Sequence, residues 1–556
     1  MEQSIAIVVR NLYSIDVAVE LNRPDAQHGD YSTNVALKIA KEVGKSPRDI
    51  SQELKNHLVV SSESINRVDA AGPGFLNIFL SDQALLEQAF RPVLPSHEGK
   101  VVVTEYSDMN PFKQSHVGHL YTTIVGDVIS RLYEAAGATV HRVNFGGDVG
   151  LHVAKTMWGI IQSLDGENPA GLDEVSKNSR ERTVWLSERY IEGNLAYEGD
   201  ETAKESIISI NQRVYELHDK DDHDSDFAQI YWTCRRWSYD YFKDFYDLLQ
   251  VTQFEKYYPE SATAPMGVSA VRQQLAKGVY KESDGAVVFD GEKYGLHTRV
   301  FINSKGLPTY ETKDVGLSML KWQDYHFDES VIVTGNDIQE YMKVVIKSIE
   351  QFEPKLASRT KHITHGNVKL AGGVKMSSRL GNGLAPEDVI ESAREASKTL
   401  TNKVDENVVI GAVKYAFLRS RIGGDLIYDA KESVSIEGNS GPYIQYAHAR
   451  ARSILAKASW TETEQEGGYQ LGLEERALVR KMTEFAEVIS KSTQELMPHH
   501  ICVYLYELAQ EFNRFYEKNR VLGSEQESER LRLVGRYADI LAEGLKLLGI
   551  HAPERM

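Results

Sequence analysis

Two short stretches of this chain carry residue types suited to holding a polyphosphate. One is His116-Val117-Gly118-His119 and the other is Lys375-Met376-Ser377-Ser378-Arg379. Gly118 lets a ligand approach the backbone closely, and two imidazoles three residues apart on a helix share one face. If the first stretch opens a helix, its unpaired backbone N–H groups and positive dipole end favour phosphate. Glycines flank the second stretch at 372, 373, 381 and 383, marking a loop, while Lys375, two serines and Arg379 supply cationic and hydroxyl donors. Taken singly, HxxH is more often a pair of surface or core histidines, and KMSSR a surface loop. Zinc fits less well, because neither HExxH nor a cysteine pair accompanies the histidines.

The surrounding elements give the first stretch a place. Val101 to Thr104 is an apolar, β-branched run that predicts a strand, and a polar loop through Asn110-Pro111 leads to His116. Leu120, Ile124, Val128, Ile129, Leu132 and Tyr133 then recur at helical spacing until Gly137, and Thr139 to Asn144 predicts a second strand. A right-handed strand–helix–strand crossover puts HVGH at the carboxyl end of the first strand, where open α/β sheets bind ligands.

At 556 residues the chain exceeds one hydrophobic core, and three or four domains are expected at about 100 to 200 residues each. Its 42% hydrophobic and 26% charged residues are those of an ordinary globular protein. The two cysteines, Cys234 and Cys502, are far apart and outside any CxxC pattern, which argues for a reducing compartment and against a disulfide or zinc framework. The first twenty residues lack a signal-peptide layout and no run of about eighteen apolar residues occurs, so a cytoplasmic location without membrane contact is expected. The net charge of −17 leaves any nucleic-acid contact to local patches, such as Arg359, Lys361, Lys369, Lys375 and Arg379, or Arg450, Arg452 and Lys457.

Along the chain, residues 1 to about 95 read as a small α+β module. Helices are predicted over Tyr31–Val43 and Pro47–Leu58, a strand with a glycine-proline break over Val68–Leu80, and a linker over Pro92–Lys100. Charged amphipathic helices fill residues 165–230, and the acidic run Asp221–Asp226 reads as a solvated loop, since it lacks the glycine and terminal glutamate of an EF-hand. Ala286–Phe289, Thr298–Asn303 and Ser330–Thr334 predict strands that resume the parallel sheet after a helical insertion. Beyond Glu437 the pattern is helical, with Ala447–Ala456, Leu473–Lys491 and Leu531–Leu548 as periodic segments and Tyr504, Phe512 and Tyr516 as aromatic core positions.

HVGH and KMSSR, in this order, resemble the HIGH and KMSKS signatures of class I aminoacyl-tRNA synthetases. The run from Glu105 to Asn110, the NFGGDVG of 144–150, the YETKD of 310–314 and the EGNSGPYIQYAHAR of 437–450 narrow the resemblance to the arginyl-tRNA synthetases. It covers nearly the whole chain, since HGDYSTNVALKIAK and AGPGFLNIFL resemble that family's amino-terminal domain and the last sixty or so residues its anticodon-binding domain. The resemblance implies an α/β fold: a Rossmann-type parallel-sheet catalytic domain with a helical insertion at 96–435, a small α+β tRNA-contacting domain at 1–95 and an all-α anticodon-binding bundle at 436–556. It implies activation of L-arginine by ATP to arginyl-adenylate, transfer to the 2′-hydroxyl of the terminal adenosine of tRNA(Arg), and release of AMP and pyrophosphate. ATP is expected with Mg2+ as a substrate complex, without a tightly bound metal or prosthetic group, and the protein as a monomer. Activation that requires bound tRNA is a family trait and an expectation here.

Carried over position by position, the resemblance implies that His116, Gly118, His119, Lys375, Met376, Ser377 and Ser378 bind ATP. His116, His119, Lys113 and Lys375 are the implied catalytic residues. Tyr310 and Asp314 match the arginine side-chain pocket, Glu105 and Glu260 are further acidic candidates, and Asn110 and Gln339 match residues that hold the amino-acid backbone end. Read without the family, Tyr310 and Asp314 are a helix start with an i,i+4 pair. Three departures stand out. Ser378 replaces the second lysine of KMSKS, and a lysine before HIGH, here Lys113, is thought to substitute for it; Val149 stands in a usual GDWG; and His152 replaces a common glutamine. Two other classes fit parts of the pattern: a nucleotidyltransferase acting on a smaller substrate, and a non-catalytic synthetase paralogue that only binds.

Overall fold

A computed structural model of the chain describes residues 1–61, 63–371, 384–400, 404–458 and 469–556. Among them a five-stranded parallel sheet forms the centre: β1 (Val101–Glu105), β2 (Thr139–Gly146), β3 (Lys256–Pro259), β4 (Glu329–Gly335) and β5 (Thr360–His365), in spatial order β5-β4-β1-β2-β3. Val102, Val103, Val331 and Val333 are fully buried, as strands covered on both faces require. The chain runs outward from β1 through β2 to β3 on one side, and through β4 to β5 on the other. The direction of strand order therefore reverses between β1 and β4, the crevice where ligands of such sheets bind.

The helix after β1, α1 (Val117–Ala135), starts at His116 and crosses to β2. It stops where the periodicity predicts, at Gly137 with φ +92°, a left-handed turn that a side chain resists.

Between β2 and β3 lies the helical insertion, Leu151–Ser163, Ser179–Gly199, Glu201–Asp219 and Asp226–Leu248, with a core of its own around Met157, Ile207, Val214 and Tyr231. The acidic run between its last two helices is an exposed turn in which Asp222 accepts from the N–H groups of Asp224 and Ser225 at 3.0 and 3.1 Å. After β3 come α2 (Glu260–Leu275), α3 (Tyr310–Tyr325) preceding β4, and α4 (Gln339–Glu350) following it.

Of the three strands expected to resume the parallel sheet, only Glu329–Gly335 does so. Ala286–Phe289 instead lies between Lys281–Ser283 and Arg299–Ile302 and pairs antiparallel with both in a separate sheet. The connection from Asp290 to Thr298 holds only the short 3-10 turn Gly291–Tyr294, and parallel strands need a crossover of about a dozen residues or more.

In the amino-terminal module the expected helix over Tyr31–Val43 begins only at Val35. Tyr31–Thr33 is a strand that pairs antiparallel with Leu76–Ile78, because its aromatic and β-branched side chains sit against an apolar partner, and the Thr33 hydroxyl then accepts from Val35 N–H at 3.2 Å. The glycine-proline break divides Ile65–Ala71 and Phe75–Leu80 into a hairpin. An unforeseen helix, Glu2–Tyr13, precedes it.

At the other end Gly441–Ala458, Leu473–Met482, Phe485–Glu495, His499–Lys518 and Glu527–Leu547 form a helical bundle. The segment expected as one helix from Leu473 turns at Thr483–Glu484. Tyr504 and Phe512 are buried, while Tyr516 is half-buried beneath the Arg450 guanidinium. The bundle packs on the amino-terminal module: Arg476 bridges Asp30 and Asp82, each at 2.6 Å, and Arg23 meets Glu487 at 2.8 Å.

Three members of the basic patches have acidic partners. Lys361 pairs with Glu329, Lys369 with Asp425 and Arg452 with Glu554.

Candidate active site

A cavity of about 940 Å³ opens at the carboxyl edge of the sheet. Lys113, His116, Gly118 and His119 line it together with Glu105, Asn110, Glu260, Tyr310 and Asp314, so nine residues singled out in the sequence share one cavity. Gln339 does not join them: it is exposed at the first turn of α4, whereas Ile338 and Tyr341 on either side of it face the cavity. Lys375, Met376, Ser377 and Ser378 lie outside the described residues, as does Arg379.

The two imidazoles of HVGH close the start of α1. His116 Nδ1 accepts from Gly118 N–H at 3.1 Å, and His119 Nδ1 accepts from His116 N–H at 3.2 Å. A nitrogen that accepts from a backbone N–H carries no proton, so each neutral ring bears its hydrogen on Nε2. The loop thus fixes two Nε2–H donors whose rings stand 4.0 Å apart. A Cβ on Gly118 would lie 2.8 Å from the His116 ring, which explains why glycine separates them. Desolvation and the Lys113 ammonium hold His116 below the usual histidine range; desolvation, His116 and Lys113 hold His119 well below it. Lys113 itself is lowered by burial, opposed by the Glu260 carboxylate. These groups are neutral or reluctantly charged donors until an anion arrives.

The Asn110 side-chain oxygen accepts from Gly147 N–H at 2.9 Å, which turns its amide NH2 away from that bond. His152 faces the Gly147 carbonyl from Nε2 at 2.8 Å and is pushed down to about 3, chiefly by burial and then by Lys113, so it serves as a neutral donor to the backbone.

The acidic residues are arranged so that most of their charge is already met. Glu105 is ion-paired with Lys321, and Glu260 with Lys313, all four being buried. Burial raises Glu260 while Lys313 pulls it back. Asp314 has no cationic partner among the described residues. Only 9% exposed, it receives a hydrogen bond from Tyr341 and is pushed up to about 8, first by burial and then by the Glu105 and Glu260 charges. Asp108, whose Oδ1 accepts from Phe145 N–H at 2.9 Å, is raised by burial and by Glu105. Asp314, left without a countercharge among the described residues, suits an incoming cation, and a planar guanidinium can satisfy two acceptors at once.

Several groups escaped the sequence reading, besides the lysines that pair with Glu105 and Glu260. Tyr341 lies in the first turn of α4 and carried no motif. Asp148, fully buried, accepts from Ser261 N–H at 2.9 Å, Ser261 Oγ at 2.8 Å and Arg235 Nε at 3.0 Å, and so joins the insertion to the start of α2 where Glu260 sits. Its position within GDVG was the available signal. His365 ends β5 inside the cavity wall, and nothing in its neighbourhood marked it. Among the described residues there is no group of three His, Cys, Asp or Glu side chains arranged to hold a metal ion, and no helix long and apolar enough to cross a membrane.

Residues 82–429 match the family model described as tRNA synthetases class I (R), catalytic domain. Residues 1–80 match the arginyl tRNA synthetase N terminal domain, and residues 444–556 the DALR anticodon binding domain. Among curated proteins, the arginine–tRNA ligase of Haemophilus ducreyi is 30% identical over 566 residues, covering 95% of this chain and 96% of its own length. That of Porphyromonas gingivalis is 27% identical over 600 residues, covering 100% and 99%. The solved structure of Thermus thermophilus arginyl-tRNA synthetase superimposes with a TM-score of 0.80 at 25% identity, covering 100% of this chain and 99% of that one.

Proposed function

The chain belongs to the class I arginyl-tRNA synthetases and ligates L-arginine to tRNA with ATP, and from that premise we propose which residues of the cavity carry each part of the reaction. In the first step a carboxylate oxygen of arginine bonds to the α-phosphorus of ATP, and the bond to the β-phosphate oxygen breaks, giving arginyl-adenylate and pyrophosphate. In the second, the 2′-hydroxyl of the terminal tRNA adenosine attacks the arginyl carbonyl, loses its proton, and AMP departs. Neither step needs a protein nucleophile, so positioning and charge stabilisation dominate.

His116 and His119 donate from Nε2–H to the phosphates, with Gly118 giving the ligand room. Lys113 supplies the cation that Ser378 does not, meeting the charge that grows on the leaving pyrophosphate; Lys375, Met376, Ser377 and Ser378 complete the ATP contacts. Asp314 takes the guanidinium with Tyr310 at the rim, and Glu105 and Glu260 hold the negative field with their lysines. Asn110 offers its free amide NH2 to the amino-acid backbone end. Mg2+ enters with ATP, coordinated by phosphates and water. The amino-terminal module, residues 1–95, and the bundle, 436–556, flank a catalytic domain at 96–435 and contact tRNA(Arg); the enzyme works as a monomer in the cytoplasm.

The observation that supports this reading best is Asp314: a buried carboxylate without a cationic partner among the described residues, in the same cavity as two oriented imidazole donors. Charging of total tRNA with each radiolabelled amino acid tests it. Arginine alone should be attached. Retained tRNA binding without charging would favour a non-catalytic paralogue, and adenylyl transfer without tRNA a smaller-substrate nucleotidyltransferase.

A further inference from the structure

His365, only 3% exposed, is the last residue of β5 and part of the cavity wall. Its ring lies against Tyr121 with centroids 4.3 Å apart. Nδ1 stands 2.9 Å from the Gly366 carbonyl oxygen, and Nε2 stands 2.7 Å from the Thr122 hydroxyl. Thr122 lies in the first turns of α1, and its hydroxyl is also 2.9 Å from the carbonyl of Gly118, the glycine of HVGH. A chain of contacts therefore runs from the end of β5 through one imidazole and one hydroxyl to the start of α1. A second tie lies close by, where Val117 N–H donates to the Leu384 carbonyl at 2.8 Å.

The proton positions in this chain are restricted. A carbonyl only accepts, so His365 Nδ1 carries a hydrogen, and Thr122 has one hydroxyl hydrogen to give. Either Thr122 donates to Nε2 of a neutral ring, or it donates to Gly118 and receives from Nε2–H of a charged one. Both arrangements keep the imidazole–threonine bond. The titratable groups facing the ring are His116 and His119 on α1, whose protonation would oppose its own, and Asp337 after β4, which attracts its proton.

We propose that His365 is a positioning residue for ATP: by gripping Thr122 it registers the first turn of α1 against the end of β5, and so aims the Nε2–H groups of His116 and His119 at the phosphates. The proposal rests on the reading of this cavity as the ATP site.

Four variants separate the bond from the mere bulk of the ring. His365→Phe keeps the stacking on Tyr121 and deletes both nitrogens; Thr122→Val deletes the hydroxyl; His365→Gln can still reach Thr122; His365→Asn can reach only the Gly366 carbonyl. Binding of ATP to the full chain is measured by calorimetry, alongside the thermal midpoint and Michaelis constants for ATP and arginine in pyrophosphate exchange with tRNA present. His365→Phe is expected to weaken ATP about tenfold and to leave the arginine constant within about twofold, the scale of one lost buried hydrogen bond. Thr122→Val should match it, the double variant should be no worse than either, His365→Gln should recover ATP binding and His365→Asn should not. Unchanged ATP binding in His365→Phe, equal losses toward ATP and arginine, additive losses in the double variant, or equal behaviour of Gln and Asn would each overturn the proposal. If exchange by the unaltered protein proved independent of arginine, the functional reading would fail, while the ATP titrations would still decide the role of His365.

Discussion

Tyr341 donates its hydroxyl to the Asp314 carboxylate, so the acid that faces the cavity is held in place without a countercharge. The bond orients Asp314 for an incoming cation and leaves the second partner to the substrate. Asp314→Asn should therefore raise the arginine Michaelis constant roughly 30- to 1,000-fold, the 2–4 kcal/mol typical of losing one member of a buried charge pair, with the ATP constant nearly unchanged. Tyr341→Phe should cost less, roughly fivefold, because the carboxylate stays and only its orientation relaxes. Steady-state pyrophosphate exchange measures both, and an unchanged arginine constant in Asp314→Asn would remove this residue from the pocket.

The same acid predicts a pH dependence with a definite sign. Asp314 titrates near 8 in the folded protein against an ordinary 3.8, so its contribution favours folding at low pH and is lost as the pH rises toward 8. Asp314→Asn removes that dependence. Its thermal midpoint should match the parent near pH 4 and exceed it near pH 8.5, a gain in stability bought with function. Arginine binding should tighten from pH 6 to 8, since below 8 the carboxyl must first release a proton, and should level off above. Calorimetry in buffers of different ionisation enthalpy reads that proton release directly.

For the imidazoles the expected loss lies in the rate. Deleting one preorganised donor costs about 2.7–4 kcal/mol, so His119→Ala should lower the exchange rate roughly 100- to 1,000-fold. Parental exchange in this variant, with arginine and tRNA present, would contradict its assignment.

Lys113→Ala distinguishes a phosphate cation from a surface lysine. The activation rate should fall about tenfold or more while arginine affinity holds, and Lys113→Arg should restore part of it. A variant with a parental rate would return the missing cation of KMSSR to some other group.

Asp148→Ala leaves the Ser261 N–H and the Arg235 guanidinium without their acceptor. Denaturant unfolding should show a loss of about 3–5 kcal/mol, as for other broken buried charge pairs. Because Ser261 follows Glu260, the arginine constant should also rise.

How much of this was legible in the chain depends on the range of the interaction that fixes each part. The β1–α1–β2 unit was readable because strand run, glycine and helical period lie within fifty residues of one another. β3 and β5 were not, since Lys256–Pro259 and Thr360–His365 are short and polar and become strands only by joining β2 and β4. The site residues carried by motifs converge on one cavity. Tyr341 and His365 were invisible because their roles depend on partners, Asp314 and Thr122, that only the fold brings close. The lysine that neutralises Glu105 was equally silent: Lys321 lies 216 residues from its partner.

The bridge from Arg476 to Asp30 has a consequence for the order of synthesis. The two residues are 446 positions apart, and at about 5–20 residues per second the aspartate emerges roughly 20–90 seconds before its arginine. During that interval the amino-terminal module presents Asp30, Asp82 and the ring of Tyr31 to water or to chaperones. The nascent chain thus carries a docking face whose partner has not yet been translated. A ribosome stalled before residue 476 should hold this module in a form more open to proteases than the finished protein does.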